Sequence, residues 1–445
     1  MTDIQTIKQR FSHSISFKLA VIAFLLLLLQ IPMAYVEGLI YERQSMQTQA
    51  QQDISQRWGG SQHIGAPILA VQYKKSVKVK DNGGQHNLVS YEYNSHILSE
   101  EFLGDINLVA NKRYLGIYEV PVFTSKVILS GAIEVEPDLH LGQHDDWSMQ
   151  QLFLPIKEMR GLKSIDKLLI NNQPVTVAQQ QQKLRGLTGL SIRLDKIQRT
   201  HRLNYHVELT LSGSEQFDLL PLAGQSQVTI SSNWPSPSFV GNFLPEKRTI
   251  NEQGFEALWQ VNELNHNFGR VLKGDKDYNL NNTKSIFGVK IIIPANIYQV
   301  NERTVKYGLL IMLLTFAGFF LAEMFFKLKL HPFQYLLIGF ALSIFFLLLL
   351  ALSEYLRFAW AFLVSALAII LLISGYCSVV LGQRKRGFYT AVLFALLYGF
   401  IYIMVRAKQT SLLMGAIGIW LFLAAVMYLT RKINWYSVSS SEQKP

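Results

Sequence analysis

The chain contains one cluster of the side-chain types that ligate metals, and it lies within nine residues. Its members are Asp138, His140, His144, Asp145 and Asp146. Imidazole and carboxylate groups bind divalent cations. However, this spacing matches no established metal motif, and the proline and glycine in the same stretch are typical of an exposed loop. We therefore predict a solvated polar loop, and no metal or other cofactor.

The sequence contains no motif of a hydrolase or a nucleotide-binding enzyme. Gly213-Ser214 lies in a pattern that predicts a β-hairpin rather than the strand-to-helix turn that presents a catalytic serine. There is no phosphate-binding loop of the Walker type and no HExxH helix. We expect no enzymatic activity. The alternative is an envelope hydrolase whose catalytic residues come together from distant positions.

A proline-rich aromatic segment, residues 234–245, is a candidate recognition loop for a peptide, a glycan or a partner protein. Pro235 and Pro237 fix their own backbones and hold the preceding residues extended. The structural interpretation, which we favour, is a bend between strands with Trp234 and Phe239 in the core. The candidate recognition residues are Trp234, Pro235, Phe239, Phe243 and Trp259.

Ionisable side chains within or beside apolar segments are candidates for a membrane function, and here they are Glu323, His331 and Glu354. Charges in a membrane span are costly and often mark a transport path. Each also has a structural interpretation. Glu323 precedes Lys327 by four residues, the spacing of a helix-surface ion pair. Glu354 would cap a helix or pair with Arg357, and His331 precedes a proline that would separate two spans.

The elements that position these groups include six apolar runs of about 20 residues, the length that crosses ~30 Å of hydrocarbon. They cover residues 17–36, 307–326, 335–352, 358–381, 388–405 and 411–429. The first run follows Lys8, Arg10 and Lys18 and lacks a convincing cleavage site, which predicts an uncleaved signal anchor; a cleaved signal peptide is the alternative. Pro32 is expected to kink this helix near its outer end.

Basic residues beside the apolar runs predict the orientation in the membrane. They are concentrated on alternate connections, at Lys327 and Lys329, at Arg384-Lys385-Arg386 and at Arg431-Lys432. Cytoplasmic loops retain lysine and arginine. We therefore predict an inner-membrane protein with both termini cytoplasmic and a large periplasmic domain. The net charge is +11, but residues 43–302 carry 26 basic and 25 acidic side chains, so no nucleic-acid partner is expected.

The large domain is predicted to be β-rich, either sandwich-like or built as two smaller lobes. A helix is expected to continue through residues 41–57 until Gly59-Gly60, and strands over 68–80, 87–93 and 227–232. Residues 114–134 are predicted as two strands around Pro121. Alternation at Tyr205, Val207, Leu209 and Leu211 indicates one buried and one solvated face. The single cysteine, Cys377, excludes an intrachain disulfide.

The resulting organisation has five parts: a cytoplasmic N-terminus (1–16), an anchor helix (17–36), the periplasmic β-rich domain (37–306), a five-helix membrane bundle (307–429) and a cytoplasmic tail (430–445). The fold class is thus an α/β membrane protein with six transmembrane helices. The lipid bilayer is its expected environment.

Motifs spread over nearly the whole chain resemble the CreD family of inner-membrane cell envelope integrity proteins. In the first part of the chain these are Arg57-Trp58-Gly59-Gly60, residues 116–122, Arg160-Gly161, residues 184–187 and Leu211-Ser212-Gly213-Ser214. Later they are residues 232–245, 254–259 and 306–310, Glu323, residues 331–335, Ser353-Glu354, Thr430-Arg431 and Trp435-Tyr436. The family usually has an acidic pair where this chain has Lys408-Gln409, so a carboxylate role at that place is not expected here.

The resemblance implies a cytoplasmic-membrane protein whose expression is tied to a two-component system and which contributes to envelope integrity and stress tolerance. It implies no established enzymatic activity or cofactor. Two functional hypotheses follow. In the first, the periplasmic domain binds an envelope component or a membrane-protein partner while the helices hold it at the membrane. In the alternative, the five-helix bundle is a small transporter or flippase-like unit that uses Glu323 and Glu354.

Overall fold

A computed structural model describes residues 15–80, 86–134, 146–175, 180–194, 202–265, 269–273, 280, 285–293, 297–326, 330–380, 383–407 and 411–431. The chain divides into two compact units. A helical unit comprises Met1–Gln47 and Ala295–Pro445, and a β-rich unit comprises Thr48–Pro294.

The helices begin with α1 (Ile15–Leu28) and α2 (Gln30–Trp58), and a second group follows the β-rich unit. That group is α3 (Ile297–Lys306), α4 (Gly308–Phe326), α5 (Pro332–Ser353), α6 (Phe358–Val380), α7 (Arg384–Arg406) and α8 (Ser411–Thr430). The only interruption between α1 and α2 is at Leu29. Pro32 explains its place, because a proline cannot donate a hydrogen bond to the carbonyl four residues earlier, that of Leu28.

Five of the described helical segments are long and apolar enough to cross a membrane: Phe17–Trp58, Ile297–Met324, Pro332–Ser353, Phe358–Val380 and Arg384–Arg406. A shorter apolar helix, Leu413–Tyr428, lies within α8, where the sequence predicts the sixth span. The predicted combination of a β-rich domain with one N-terminal and several C-terminal apolar helices is therefore confirmed. The helix predicted to continue to residue 57 is also present, because α2 ends at Trp58, just before Gly59-Gly60.

Seventeen described strands follow α2. They are β1 (Gln62–Gly65), β2 (Ile68–Lys80), β3 (His86–Leu115), β4 (Tyr118–Glu134), β5 (Asp146–Pro155), β6 (Leu162–Ile170), β7 (Gln173–Pro174), β8 (Gln180–Leu184), β9 (Leu187–Arg193), β10 (Arg202–Ser214), β11 (Gln216–Leu220), β12 (Ala223–Ser232), β13 (Pro237–Gly241), β14 (Lys247–Asn251), β15 (Gly254–Asn262), β16 (Val271–Lys273) and β17 (Phe287–Ile291). Short 3₁₀ helices lie at Met159–Gly161 and Glu263–Asn265.

Most strands belong to one thirteen-stranded sheet that is organised around β3. Its main path runs β7-β6-β10-β4-β3-β2-β5-β9-β8, and β12 joins β15 and β14 to β3. The first part of β3 pairs with β2, and the part from Glu101 onward pairs with β4. A smaller sheet has the order β1-β11-β17-β13. The 30-residue β3 therefore links neighbouring parts of the large sheet.

One face of this sheet carries the core of the β-rich unit. On β10, Leu203, Tyr205, Val207 and Leu209 are buried and alternate with more exposed polar residues, as the sequence predicts. Alternation produces this arrangement because successive side chains of a strand point to opposite faces. The core continues through large side chains that include Phe102, Phe123, Phe153, Phe217 and Trp259.

The prediction of two strands around Pro121 is wrong. The chain turns at Gly116, which has a φ of +60°, and β4 then runs without a break from Tyr118 through Pro121 to Glu134. The pairing explains why proline is tolerated there. Pairing of β4 with β10 ends at Val122, so Pro121 lies one residue beyond it and its missing N–H removes no bond on that side.

Candidate functional site

The aromatic residues predicted for recognition pack in and around the core of the β-rich unit. Trp234 is 8% exposed, and its indole N–H donates to the carbonyl of Ile292 at 2.9 Å. Trp259 is completely buried, and its indole donates to the carbonyl of Phe243 at 3.1 Å. In this conformation neither indole is accessible to a ligand, which supports the structural interpretation of Trp234.

The other members of the predicted recognition set lie at the border of this core. Phe239 packs edge-on against Trp259, with ring centroids 5.7 Å apart, and Phe243 contacts the ring of Phe287 in the same manner. Both are partly buried. Pro235 is exposed. Segment 234–245 therefore anchors strands β13 and β15 through aromatic contacts, which favour edge-to-face geometry.

Three sequence motifs that are far apart in the chain meet at the end of α2. Gly59 follows the helix with a φ of +99°, a conformation that favours glycine. A Cβ on Gly59 would lie 2.6 Å from the Cα of Gly161 and 2.7 Å from the carbonyl oxygen of Ser212. The motifs around Trp58, Arg160 and Ser212 are thus in direct contact, and only glycine fits at their centre.

A buried glutamine connects these motifs by hydrogen bonds. The Nε2 of Gln62 donates to the carbonyls of Gly59 at 2.7 Å and Ser212 at 2.9 Å. The hydroxyl of Ser212 donates to the carbonyl of Gly161 at 3.2 Å, and the backbone N–H of Ser214 donates to Gly60 at 2.8 Å. We call Gly59, Gln62, Gly161, Ser212 and Ser214 the junction cluster. A buried donor or acceptor without a partner costs about 1–3 kcal/mol. The hydrogen bonds of this cluster therefore fix the end of α2 to the sheet.

Trp58 extends the same contact on the surface. Its indole N–H donates to the carbonyl of Phe123 at 3.2 Å. The guanidinium of Arg113 and the ammonium of Lys163 lie 4.7 Å and 5.1 Å from the centre of the ring. Cations at these distances are attracted to the face of an indole. Trp58 is therefore a structural anchor of the β-rich unit.

An ionisable pair lies beside the junction cluster. Asp218 on β11 is completely buried, and its Oδ2 is 3.4 Å from the Nε2 of His63 on β1. Gln216 donates to the same oxygen at 2.7 Å, while Oδ1 has no hydrogen-bond partner among the described residues. Burial raises the pKa of Asp218 to about 6, although Gln216 and Lys157 oppose the increase. Burial, with help from the Lys157 cation, lowers the pKa of His63 to about 4, and Glu158 acts in the opposite direction.

These two shifts predict opposite pH dependences of stability. The folded state keeps the proton of Asp218 up to pH about 6, whereas the unfolded state releases it near 3.8, so stability falls as pH rises through that window. The unfolded state binds a proton on His63 below pH 6.5, whereas the folded state stays neutral down to about 4, so stability rises with pH there. In the unaltered protein the fall in stability with pH that Asp218 causes and the rise that His63 causes largely cancel, because their pH windows overlap.

Removing one member of the pair should therefore reveal the pH dependence of stability that the other member causes. We expect the free energy of unfolding of His63→Gln to fall between pH 4 and 6, and that of Asp218→Asn to rise between pH 4 and 6.5. The measurement is urea unfolding of the full chain in detergent, followed by tryptophan fluorescence. The unaltered protein and His206→Gln, a partly exposed histidine on β10, are the controls. A flat profile in both single variants would contradict the assignment.

One of the exposed apolar features of the β-rich unit lies on a two-stranded ribbon. β5 pairs with β2 only as far as Lys74, so beyond this point β2 and β3 pair with each other alone among the described strands. We call this ribbon, residues 75–80 and 86–93, the β2–β3 arm. Along it Val89, Tyr91 and Tyr93 are 37%, 46% and 41% exposed. Two-stranded ribbons have little stability of their own, and exposed aromatic rows are typical of binding surfaces.

In the helical unit, Glu323 on α4 is an anchor point between three helices. Its Oε1 accepts a hydrogen bond from the ammonium of Lys18 on α1 at 2.6 Å and one from the backbone N–H of Leu330 at 3.2 Å. The hydroxyl of Tyr335 on α5 donates to Oε2 at 3.3 Å. The sequence-based partner Lys327 lies outside the described residues. The ion pair that the structure provides comes from a helix 305 positions away in the chain.

Glu354 forms a similar contact at the opposite end of α5. It is the C-cap residue of α5, and its Oε1 lies 3.5 Å from the Nε of Arg43 on α2. The hydroxyl of Tyr298 on α3 donates to it at 3.3 Å. Glu354 therefore caps a helix, as one sequence interpretation holds, but its ion-pair partner is Arg43 rather than the predicted Arg357. Glu323 contacts α5 at Tyr335, and Glu354 lies 19 positions further along the chain at the C-cap of α5. At 1.5 Å per residue, these two points on the helix are about 28 Å apart.

His331 is the N-cap of α5. Its Nδ1 accepts a hydrogen bond from the N–H of Phe333 at 3.2 Å, and its own N–H donates to Oε1 of Gln334 at 2.9 Å. Pro332 occupies the first turn, where its missing N–H costs nothing. These contacts account for the break between α4 and α5 at this histidine.

Comparison with known proteins agrees with the motif resemblance. The family described as "Inner membrane protein CreD" matches residues 14–436. The inner membrane protein CreD of Escherichia coli strain K12 is 30% identical over 432 residues, which cover 94% of this chain and 93% of that protein. The chain belongs to the CreD family. Its inner-membrane character and the sequence-based resemblance are thereby confirmed.

The CreD-family motifs near residues 59, 161 and 212 are thus explained by a common location, the junction cluster. Sequence reasoning missed Gln62, His63 and Asp218, because lone polar residues in strands give no signal of burial. It also missed the exposed row on the β2–β3 arm, although alternation at Val89, Tyr91 and Tyr93 was a usable signal.

Of the predicted polar loop, only Asp146 is described, as the first residue of β5; Asp138, His140, His144 and Asp145 lie outside the described residues. The part of the chain that the structure describes contains no group of three His, Cys, Asp or Glu side chains placed to hold a metal ion.

Proposed function

We propose that this CreD-family member supports cell envelope integrity by holding its β-rich unit on the periplasmic side, where that unit binds an envelope component or a partner protein. The observation that carries this proposal is the β2–β3 arm, on which Val89, Tyr91 and Tyr93 are 37%, 46% and 41% exposed. An exposed apolar row costs solubility and is retained where it contacts something. The family resemblance supplies the envelope role.

The orientation in this proposal rests on charge. The start of α7 carries Arg384, Lys385 and Arg386, and the end of α8 is followed by Arg431. Because consecutive spans run in opposite directions, the start of α7 and the end of α8 lie on the same face of the membrane. Basic connections stay cytoplasmic. By that rule the chain between α2 and α3 lies on the other side of the inner membrane, in the periplasm. Reporter fusions at either end of the chain test this assignment.

The alternative function, a transporter-like bundle, receives less support from the helical unit. Glu323 is neutralised by Lys18, and α4 and α5 contain no other charged residue. A proton path would need further titratable groups between the ends of the helices. Glu323 and Glu354 instead lie at opposite ends of α5, where each joins helices together.

The arm can be tested by removing its apolar row. We expect the full chain carrying Val89→Ser, Tyr91→Ser and Tyr93→Ser to lose most of its ability to complement a deletion strain under membrane-perturbing stress, because the exposed part of the row is the apolar area that a bound partner would cover. The matched control, Ser90→Ala, Glu92→Ala and Asn94→Ala, alters the neighbouring positions of the same strand and should complement normally. Expression and export of both variants are checked by protease accessibility in spheroplasts.

A photo-crosslinking amino acid at position 91 provides the direct readout. It should form a specific adduct with an envelope component in intact cells, and the same group at position 90 should form less. Full complementation by the triple serine variant would reject the arm as the binding surface. Normal activity of a variant that retains only the helical unit would reject the β-rich unit altogether.

A further inference from the structure

A groove in the helical unit has the form and charge of a lipid site. It lies between α4, α7 and α8 and has a volume of about 560 Å³. Its walls are apolar along most of their length, with Phe319, Leu393, Leu397 and Phe422 among the lining residues. At one end it is bordered by two cations, Lys385 and Arg386.

The depth of the groove comes from small residues on α4. Gly318 and Ala322 line it, and a Cβ on Gly318 would meet only the side chain of Leu393, at 4.0 Å. Between Lys385 and Leu397 the axis of α7 rises about 18 Å. That distance is close to the thickness of one leaflet, about half of a ~30 Å hydrocarbon core. The groove therefore has the length of one acyl chain.

The electrostatics of the charged end favour an anion. Lys385 and Arg386 lie in the first turn of α7, and the N-terminus of a helix adds partial positive charge. The N-cap, Gln383, makes no side-chain cap hydrogen bond. Glu323 is close to this end through its contact with Leu330, but Lys18 neutralises it. Among the residues that the structure describes at this end, Lys18, Lys385 and Arg386 carry three positive charges against the one negative charge of Glu323, which favours a phosphate.

We propose that this groove binds one anionic phospholipid, with its phosphate at Lys385 and Arg386 and an acyl chain between α4, α7 and α8. The choice of a lipid follows from the juxtaposition of an apolar channel of leaflet length with cations at the level of a headgroup. Basic pockets between membrane helices select anionic headgroups in this way. Electroneutral lipids share the apolar contacts but not the charge contact.

The test is native mass spectrometry of the full chain after delipidation in detergent, titrated with phosphatidylglycerol or with phosphatidylcholine of the same acyl chains. We expect one phosphatidylglycerol to bind in preference to phosphatidylcholine. Lys385→Ala with Arg386→Ala should reduce the affinity for phosphatidylglycerol about 30-fold, because each interfacial cation contributes about fivefold. Arg406→Ala, which removes a cation from the other end of α7, should leave it unchanged.

A second pair of variants distinguishes binding in the groove from attraction to the surface charge alone. Gly318→Leu should fill the groove and weaken both lipids, whereas Gly375→Leu, where a Cβ meets open space on α6, should not. Retention of the phosphatidylglycerol preference in the double alanine variant, or unchanged binding in Gly318→Leu, would overturn the proposal. So would a stable dimer of the chain that Gly318→Leu dissociates, because a second copy would then occupy the groove.

Discussion

Gly59→Ala is expected to destabilise the β-rich unit by about 3–5 kcal/mol, a large part of the about 5–15 kcal/mol by which folded domains are stable. A side chain at a φ of +99° adds about 1–2 kcal/mol of backbone strain. The Cβ would also lie 2.6 Å from the Cα of Gly161, and backbone atoms at a packed junction cannot move aside cheaply. The measurement is the urea midpoint of the full chain, with loss of a protease-resistant β-rich fragment as a second readout.

Two control substitutions at other glycines separate the cost of backbone strain from the cost of the steric clash with Gly161. Gly116 has a similar left-handed backbone, with a φ of +60°, but a Cβ there would meet open space, so Gly116→Ala should cost only about 1–2 kcal/mol. Gly269→Ala meets no neighbouring atom within 4 Å and should have little effect. If Gly59→Ala unfolds at the same urea concentration as Gly116→Ala, the junction cluster is not the rigid joint described above.

Glu323→Gln is expected to destabilise the helical unit by about 2 kcal/mol and to lower its thermal midpoint by several degrees. The carboxylate is 6% exposed, so its loss leaves the Lys18 ammonium, itself one-third exposed, beside a poorer acceptor. Glu302→Gln is the control: its pair with Lys306 at 2.7 Å lies within one helix and involves a largely exposed lysine, so the cost should stay below about 1 kcal/mol.

A double variant then distinguishes an anchoring role from transport. Lys18→Met with Glu323→Leu replaces the ion pair by apolar side chains, a change that is often neutral or stabilising in buried sites. An anchor should regain complementation under stress and part of the thermal midpoint, since the Leu330 N–H and the Tyr335 hydroxyl still lose their acceptor. A proton-coupled path should stay inactive in the double variant, because the carboxylate is still missing. The second outcome would make the transporter-like bundle the better functional hypothesis.

The fold was predictable where a single physical signal is local. The alternation on β10 and the strand over Ile68–Lys80 follow from the period of two in a half-buried strand. The continuous strand through Pro121 was not predictable, because the cost of a missing N–H depends on whether a neighbouring strand needs it. In that neighbour, β10, the residue that pairs with Val122 is Ser214, which is 92 positions away in the chain.

The candidate sites divide in the same way. Glu323 and Glu354 stand out in the sequence because a carboxylate in an apolar run is expensive. Their partners, Lys18 and Arg43, could not be chosen from spacing, since ion pairs between helices depend on how the helices pack. The alternation on the β2–β3 arm is visible in the sequence, yet only the structure shows that Val89, Tyr91 and Tyr93 on it are 37%, 46% and 41% exposed among the described residues.

The membrane character, the β-rich middle and the helix ends at Gly59-Gly60 and His331 follow from the sequence, because hydropathy, periodicity and capping act over a few neighbouring residues. Membership of the CreD family follows from motifs spread along the whole chain. Tertiary structure decided which motifs meet. The contact of Gly59 with Gly161 and Ser212, the burial of Asp218 beside His63, and the groove that ends at Lys385 all join residues that are distant in the chain. Such contacts depend on packing between elements, and no local pattern encodes them.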